Sequence, residues 1–258
     1  MHQLPPSEQG TWLKSLNAFT SRLRWHCHFI QKLEDEPDIE YVNLHPAYNG
    51  LRENAFSISH FEAWCTGHTG FPIIDACMRA LQATGWLNFR MRAMLMSFAS
   101  YQLWFPWQQP ALHLARLFVD YEPGIHYSQC QMQAGTTGIN SVRIYNPIKQ
   151  GIEHDPDALF IRQWVPELRN VSPAYIHNLE ALQSLSLDYP SPIVNEVEAR
   201  KKAADIVFAM RQDPEHKKIA DVIIDKHGSR RSGLRRKMTK RKKKKPPENP
   251  TNQLTLPF

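Results

Sequence analysis

Apolar side chains recur every three or four positions through most of this chain, a spacing that favours α-helices over strands. The clearest patterns cover residues 12–33, 73–81, 87–103, 111–119, 160–164, 173–185 and 194–210. Residues 121–158 are rich in Gly, Pro, Asn and Thr and are predicted to be loop-like, with one short β-prone stretch at 141–145. The sequence therefore predicts an all-α domain.

The helix that follows Gly70 has the clearest boundaries. Pro72 suits a first-turn position, Asp75 complements the positive end of the helix dipole, and Gly85 is a typical C-terminal stop. Asp75 and Arg79 are four positions apart, which is the spacing of a surface ion pair, and a functional role for them is equally open.

The positive charge is concentrated at the C-terminus. Residues 226–258 contain 12 Lys or Arg and one acid, Glu248, so they carry +11 while the whole chain carries +6. The other 225 residues sum to −5. We expect a flexible lead at 1–11, a mildly acidic helical domain at 12–225 and a disordered polybasic tail at 226–258. The tail is expected to bind phosphate backbones without sequence preference, with a solubilising terminus as the alternative.

Several protein classes are excluded by the sequence. No run of 18 apolar residues would span a membrane, and the polar N-terminus lacks the apolar stretch of a secretion signal. The four cysteines form no CxxC pair, and the 12 histidines show no metal-binding spacing. We therefore predict reduced thiols, no metal, no membrane partner and a cytoplasmic location.

Two arginines interrupt the apolar segment WLNFRMRAMLMSF. Arg90 and Arg92 are two positions apart and point to different faces. A guanidinium in such a stretch needs an anion or the surface, and Asp120 at the end of LARLFVD is a plausible partner for Arg92. A buried structural pair and an anion or cofactor site are both open. Four tryptophans are more typical of a core than of cofactor contacts: Trp25, Trp86, Trp104 and Trp107.

Five strings in a fixed order carry a family resemblance. They are WCTGHTGFPIIDACMRALQATGWLNFRMRAM, LFVDYEPGIHY, RIYNPIKQG, FIRQWVPEL and LDYPSPIV. From about Trp12 to Met210 the chain resembles the C-terminal helical, FAD-binding domain of the DNA photolyase/cryptochrome family. The resemblance implies an all-α fold, an FAD cofactor and light-driven splitting of a flipped-out pyrimidine dimer in DNA.

The resemblance also implies site residues. Asp120, Tyr121 and Glu122 match the loop at the flavin ring, Arg92 matches the arginine that pairs with this loop, and Phe19 replaces an aromatic residue beside the cofactor. His126 replaces an asparagine that faces the reactive flavin nitrogen, where it tunes protonation or is a neutral substitute. The residues that match lesion or DNA contacts are Arg22, Trp25, His26, Phe89, Arg90 and Met132, of which Arg22, His26 and Met132 depart from the family pattern.

The family's tryptophan chain, which photoreduces the flavin, is interrupted in this sequence. Trp107 matches its middle member, but Cys130 stands at the flavin-proximal position and the outermost position falls near Asn54. We therefore do not expect ordinary photoreduction.

A second departure lies upstream. Family members carry an N-terminal α/β antenna domain and a Thr/Ser-rich segment that cradles the FAD phosphates, and this sequence is expected to begin after both. A helix N-terminus is a strong phosphate site, so its loss would weaken FAD binding. Either a second chain completes the site, or the flavin is held poorly.

The last six residues, QLTLPF, resemble the peptide by which bacterial repair proteins dock on the sliding clamp. Leu254, Leu256 and Phe258 would supply the apolar contacts and Gln253 would set the register, although so short a match also arises by chance. The sequence therefore favours a photolyase-like DNA-repair flavoprotein, and the alternatives are a non-catalytic DNA-binding or clamp-docking protein and a cryptochrome-like photosensor.

Overall fold

The computed structural model describes residues 6–227, and side chains from residue 10 onward. These residues form one compact unit with no strand, which confirms the all-α prediction. Its helices are α1 Pro6–Asp35, α2 Ile58–Thr66, α3 Pro72–Thr84, α4 Phe89–Ser97, α5 Gln108–Leu117, α6 Pro123–Ala134, α7 Pro147–His154, α8 Leu159–Trp164, α9 Pro173–Ile176, α10 Leu179–Gln183, α11 Glu196–Gln212 and α12 Pro214–His227. A π-helical turn, Phe98–Gln102, directly continues α4.

The central helix is α3, which is buried along almost its whole length and packs against α2, α4, α7 and α8. As the sequence predicts, Pro72 begins the helix and Gly85 ends it, with a φ of 70° that suits glycine. A Cβ at Gly85 would lie 2.4 Å from Val119 Cγ1, so the absent side chain lets the segment after α5 pack closely against the end of α3.

The predicted surface pair of Asp75 and Arg79 is wrong. Asp75 is fully buried and accepts hydrogen bonds from the Thr69 amide at 2.8 Å, the Gly70 amide at 3.0 Å and the Tyr189 hydroxyl at 2.6 Å. Its carboxylate therefore ties the loop before α3 to the C-terminal part of the domain. Arg79 instead pairs with Glu167 at 2.8 Å.

The loop-like reading of residues 121–158 is also wrong, because α6 and α7 lie within it. The α6 helix shows no clear apolar periodicity because several of the side chains that it buries are polar, such as His126, Gln131 and Gln133. Local signals for it were present, since Glu122 caps the helix and Pro123 occupies its first turn. The β-prone stretch at 141–145 forms no strand.

The C-terminal boundary of the helical unit also differs from the prediction. Lys226 and His227, assigned to the tail, belong to α12, and both contact Glu36, with Lys226 Nζ at 2.8 Å from its carboxylate. At the other end, α1 begins at Pro6, before the periodic segment that starts at Trp12.

Among the described side chains of α1, those from residue 28 onward pack against the rest of the domain. Phe29 and Ile30 lie against α6 at Gly124, where a Cβ would be 2.8 Å from the Phe29 carbonyl oxygen. Residues 10–27 are almost entirely exposed. No helix within residues 6–227 is long and apolar enough to cross a membrane.

Candidate functional site

A cavity of about 170 Å³ lies between α4, α5 and α6. Its apolar wall includes Ala93, Met96, Leu114, Phe118 and Ile125. The remaining lining residues are Phe89, Arg92, Asp120, Tyr121, Glu122, His126, Gln129, Cys130 and Gln133. An apolar space edged by a few polar groups is the usual form of a small-molecule site.

The predicted Arg92–Asp120 pair closes one side of this cavity. The two guanidinium Nη atoms each donate to a different carboxylate oxygen at 2.9 Å, and Arg92 Nε donates to the Leu87 carbonyl at 2.7 Å. The guanidinium also lies 4.1 Å from the centroid of the Phe118 ring. The Asp120 side chain is 49% exposed, so the pair is a rim contact and the buried alternative is wrong.

Tyr121 and Glu122 follow on the same loop and have different environments. The Tyr121 ring packs edge-on against His126, with centroids 5.3 Å apart, and it remains partly exposed at the cavity. The Glu122 carboxylate accepts from the amides of Gly124 and Ile125 at 3.1 and 2.7 Å. Glu122 therefore orients α6, and its charge is already satisfied by the helix N-terminus.

His126 is buried on the cavity wall. Its Nε2 lies 2.8 Å from the Ala111 carbonyl oxygen, which can only accept, so Nε2 carries the proton. Burial lowers the pKa of His126 below its ordinary value, despite the opposing hydrogen bond to Ala111. The imidazole is accordingly neutral at pH 7, with Nδ1 as an acceptor.

Cys130 also lies on the wall, one helical turn after His126. Its Sγ is 3.6 Å from His126 Nε2, and burial raises the pKa of the thiol far above its ordinary range. A neutral, buried thiol is a poor nucleophile. Cys130 therefore contributes polarizable bulk to the wall.

The other member of the predicted electron chain, Trp107, is 1% exposed and does not line the cavity. Its Nε1 donates to Asn43 Oδ1 at 2.8 Å, and its ring contacts Tyr127 with centroids 6.3 Å apart. Asn54, near the predicted outermost position, is exposed.

Trp25 and Trp86 are exposed as well, so the core interpretation is wrong for both.

The residues predicted on α1 are not brought to the cavity. Phe19 is 62% exposed, and Arg22, Trp25 and His26 lie along the same exposed part of the helix. Phe89 and Arg90 are exposed at the start of α4, and of these Phe89 lines the cavity. Met132 is half-buried on α6 and does not line it. Gln253, Leu254, Leu256 and Phe258 lie outside the described residues.

Two glutamines of the site were missed by the sequence analysis. Gln129 and Gln133 lie one turn apart on α6, following Ile125 at the same spacing, so all three face the cavity. The i, i+4, i+8 spacing of these three residues could have indicated them, but the region was predicted to be loop-like. Gln129 Oε1 is buried with no hydrogen-bond partner, which is the kind of acceptor that a bound ligand satisfies.

The lining residues fit the ring system of a flavin. An isoalloxazine is apolar at its benzenoid end and carries N–H and C=O groups at its pyrimidine end, which matches an apolar wall edged by glutamine, histidine and arginine. The cavity is smaller than the roughly 300–1,000 Å³ of a site for a complete drug-sized ligand. The size of the cavity therefore suits a ring system and not a complete FAD.

Known proteins are similar to this chain over most of its length. The family described as the FAD binding domain of DNA photolyase matches residues 19–209. A deoxyribodipyrimidine photo-lyase of Streptomyces griseus is 35% identical over 189 residues, which cover 72% of this chain and 41% of the relative.

Two solved structures are similar to most of the chain. A class III photolyase from Agrobacterium tumefaciens matches with a TM-score of 0.68 and 30% identity, covering 76% of this chain and 43% of that protein. A Synechocystis cryptochrome matches with a TM-score of 0.66 and 26% identity, covering 74% and 41%. The chain thus spans less than half the length of the relatives that it matches.

Proposed function

The chain belongs to the family of photolyase FAD-binding domains, and from this premise we propose that its cavity holds the isoalloxazine ring of FAD for light-driven repair of pyrimidine dimers in DNA. The observation that carries the proposal is the unpaired Gln129 Oε1 beside an apolar wall. FAD, when bound, would supply the light-absorbing redox centre.

The chain's own residues would prepare the site for such a cofactor. Met96, Leu114 and Phe118 exclude water from one face of the cavity. Neutral His126 keeps its proton on Nε2, at the Ala111 carbonyl, and so offers Nδ1 as an acceptor. The Arg92 guanidinium, held by Asp120 and by the Leu87 carbonyl, keeps a fixed orientation at the rim of the cavity.

DNA contact is proposed at the start of α4. Phe89 is exposed while it also lines the cavity, and Arg90 is exposed beside it. An aromatic face and a guanidinium at the mouth of a cavity suit a flipped-out base and its phosphate. Trp25, Arg22 and His26 on the exposed part of α1 are proposed as a separate DNA contact.

A second polypeptide is proposed to complete the cofactor site. Trp12, Leu16, Phe19 and Leu23 form an exposed stripe on α1, since they are spaced by three or four residues. Exposed apolar surfaces of this kind mark interaction sites. The segment that binds the FAD phosphates would then come from outside the described residues.

Purified protein tests the main proposal. Titration with FAD should produce a bound flavin spectrum, and the Gln129→Leu variant should bind about tenfold more weakly because it loses roughly 1–3 kcal/mol of hydrogen bonding. Gln183→Leu, on the exposed side of α10, is the matched control. Illumination of the loaded protein with a dimer-containing oligonucleotide then separates a repair enzyme from a photosensor.

A different outcome would support the second candidate function. The small cavity and the basic tail also suit a protein that binds DNA or the sliding clamp without catalysis. A colourless protein that takes up no FAD and still binds DNA would favour this candidate. Replacing Leu256 and Phe258 with Ala should abolish capture by the clamp if the C-terminal peptide docks there.

A further inference from the structure

We propose that α12 is held by a pH-sensitive latch, in which neutral His216 and His227 dock the helix on the domain and protonation of these two side chains releases it. The latch lies beyond the part of the chain that matches the photolyase family, since that match ends at residue 209 and α12 begins at Pro214. The basic residues 228–258 follow α12 directly. Release of the helix would therefore add 14 residues of free chain ahead of them.

Histidines make up half of the buried face of α12. Its buried side chains are His216, Ala220, Ile223 and His227, which are spaced by three or four residues and so share one face, with Ile219 partly buried beside them. These alanine and isoleucine side chains bury little apolar surface for a helix of 14 residues. Docking of α12 therefore depends on the contacts of its two histidines.

His216 packs against His45, a residue of the segment that follows α1. The two rings are stacked with their centroids 3.9 Å apart and their planes inclined by 19°, and both side chains are buried. His45 Nε2 donates to the His216 carbonyl at 3.0 Å, and His45 Nδ1 accepts from the Ala47 amide at 3.2 Å. A carbonyl can only accept and an amide N–H can only donate, so this pair of bonds requires a neutral His45 ring.

The outer nitrogen of the His216 ring is bonded as well. His216 Nε2 lies 3.1 Å from the Tyr48 hydroxyl, and Arg211 Nε donates to the same hydroxyl at 3.2 Å. The hydroxyl oxygen accepts from Arg211, and its own proton is free to be donated to His216. This arrangement suits a neutral His216 ring that accepts at Nε2.

The charged groups around His216 also favour its neutral form. Burial lowers the pKa of His216, and His45, Arg211 and Lys217 lower it further, against the opposing effect of Asp213. One oxygen of the Asp213 carboxylate already accepts from the backbone amide two residues further on, at 2.9 Å. A second positive charge in this stack would therefore be poorly compensated.

His227 holds the other end of α12 against the end of α1. Its side chain is 2% exposed and its Nε2 contacts the Glu36 carboxylate, which Lys226 Nζ also contacts at 2.8 Å. Lys32 is buried one turn before Glu36 on α1. Burial lowers the pKa of His227 despite the opposing hydrogen bond to Glu36, and the two lysines lower it further. One carboxylate thus already faces two lysines before His227 takes up a proton.

Protonation and docking therefore oppose each other. When α12 detaches, both histidines meet water and regain an ordinary pKa of about 6.5. The docked helix lowers both pKa values, so docking has its full stability above that pH and loses stability as the pH falls below it. The two effects add because both side chains belong to one helix.

Hydrogen exchange of the full chain, followed by mass spectrometry, tests the latch. On going from about pH 7.5 to about pH 5.5, with intrinsic exchange rates corrected for, the amides of α12 should exchange at least tenfold faster while those of α3 keep their protection. Replacing both His216 and His227 with Gln removes the titrating groups and should abolish this difference. His177→Gln is the matched control, because its Nε2 also lies at a backbone carbonyl, that of Asp155 at 3.0 Å, but outside α12.

A second measurement keeps the test valid if the double variant leaves α12 unprotected at both pH values. Titration of the native protein by nuclear magnetic resonance should give His216 and His227 pKa values below about 6.5, and values at or above it would overturn the inference. Equal exchange of α12 at both pH values would overturn it too, as would a pH effect that persists in the double variant. A parallel loss of protection in α3 would mean global unfolding and would likewise refute a local latch.

Discussion

At the residue scale, the exposure of Asp120 lowers the stabilisation that is expected from its ion pair with Arg92. A buried Arg92–Asp120 pair would cost roughly 3–5 kcal/mol to break, but half of the Asp120 side chain is exposed, and solvent screens a pair at that position. Asp120→Ala should therefore lower the free energy of unfolding by only about 1 kcal/mol. Urea denaturation measures this, with Asp120→Asn as the charge control, and a loss above roughly 3 kcal/mol would mean that the pair is effectively buried.

His126 gives stability a pH dependence. Burial lowers the pKa of this histidine in the folded state, so the unfolded chain binds a proton more readily. Its contribution is fully present above the unfolded pKa, about 6.5, and is lost as the pH falls below that value. The native chain should lose more stability than His126→Gln between about pH 7 and pH 5. An equal change of melting temperature with pH in the two proteins would contradict this prediction.

Among single residues, the sequence predicted a partner correctly where the charge of a side chain requires one. The Arg92 guanidinium had to find an anion, and Asp120 is that anion. It failed at Asp75, where the spacing to Arg79 suggested a pair on the same helix. The loop of Thr69 and Gly70 instead surrounds the carboxylate with donors, an arrangement that helical spacing does not encode.

At the element scale, the contact between α1 and α6 depends on one missing side chain. A Cβ at Gly124 would lie 2.8 Å from the Phe29 carbonyl oxygen and 3.1 Å from the Ile30 Cα, and backbone atoms cannot move aside cheaply. Gly124→Ala should therefore destabilise the protein by about 1–3 kcal/mol.

Gly10 provides the control for that prediction. It lies in the exposed part of the same α1 helix and a Cβ there would meet nothing within 4 Å. Gly10→Ala should leave stability unchanged or raise it by up to about 1 kcal/mol, since alanine favours helix. Thermal melts that shift equally for both variants would contradict close packing at Gly124.

The helices differ in how far sequence could predict them. The α3 helix combines an apolar face with clear ends at Pro72 and Gly85, so both its existence and its limits were predicted. The α6 helix was missed because it buries glutamine and histidine in place of leucine. A helix that places polar side chains in the interior departs from the apolar periodicity by which helices are predicted.

At the scale of the whole molecule, the helical domain and the C-terminal segment carry net charges of opposite sign. Because Lys226 and His227 belong to α12, a deletion that tests the tail should begin at Gly228. Removing residues 228–258 should weaken non-specific DNA binding at least tenfold at about 50 mM salt and flatten its salt dependence, since phosphate contacts release counterions. Fluorescence anisotropy at several salt concentrations measures both effects.

A full-length control distinguishes charge from chain length in that experiment. Changing residues 240–245 to Gln keeps the length of the segment while removing six consecutive cationic side chains. Affinity should fall part of the way toward that of the deletion. Binding that is unchanged at low salt in both proteins would locate the DNA contact on the helical domain alone.

The sequence by itself determined the all-helical class, the limits of α3, the Arg92–Asp120 partnership and the family, because these follow from local periodicity, end signals, charge and an ordered set of motifs. Only the tertiary structure decided that the pair lies at a rim, that Gln129 and Gln133 face a cavity, and that the Tyr127 ring packs between Trp107 and His126. Burial and contacts between residues far apart in the chain arise from how the helices pack, and helical spacing constrains only neighbours on one helix.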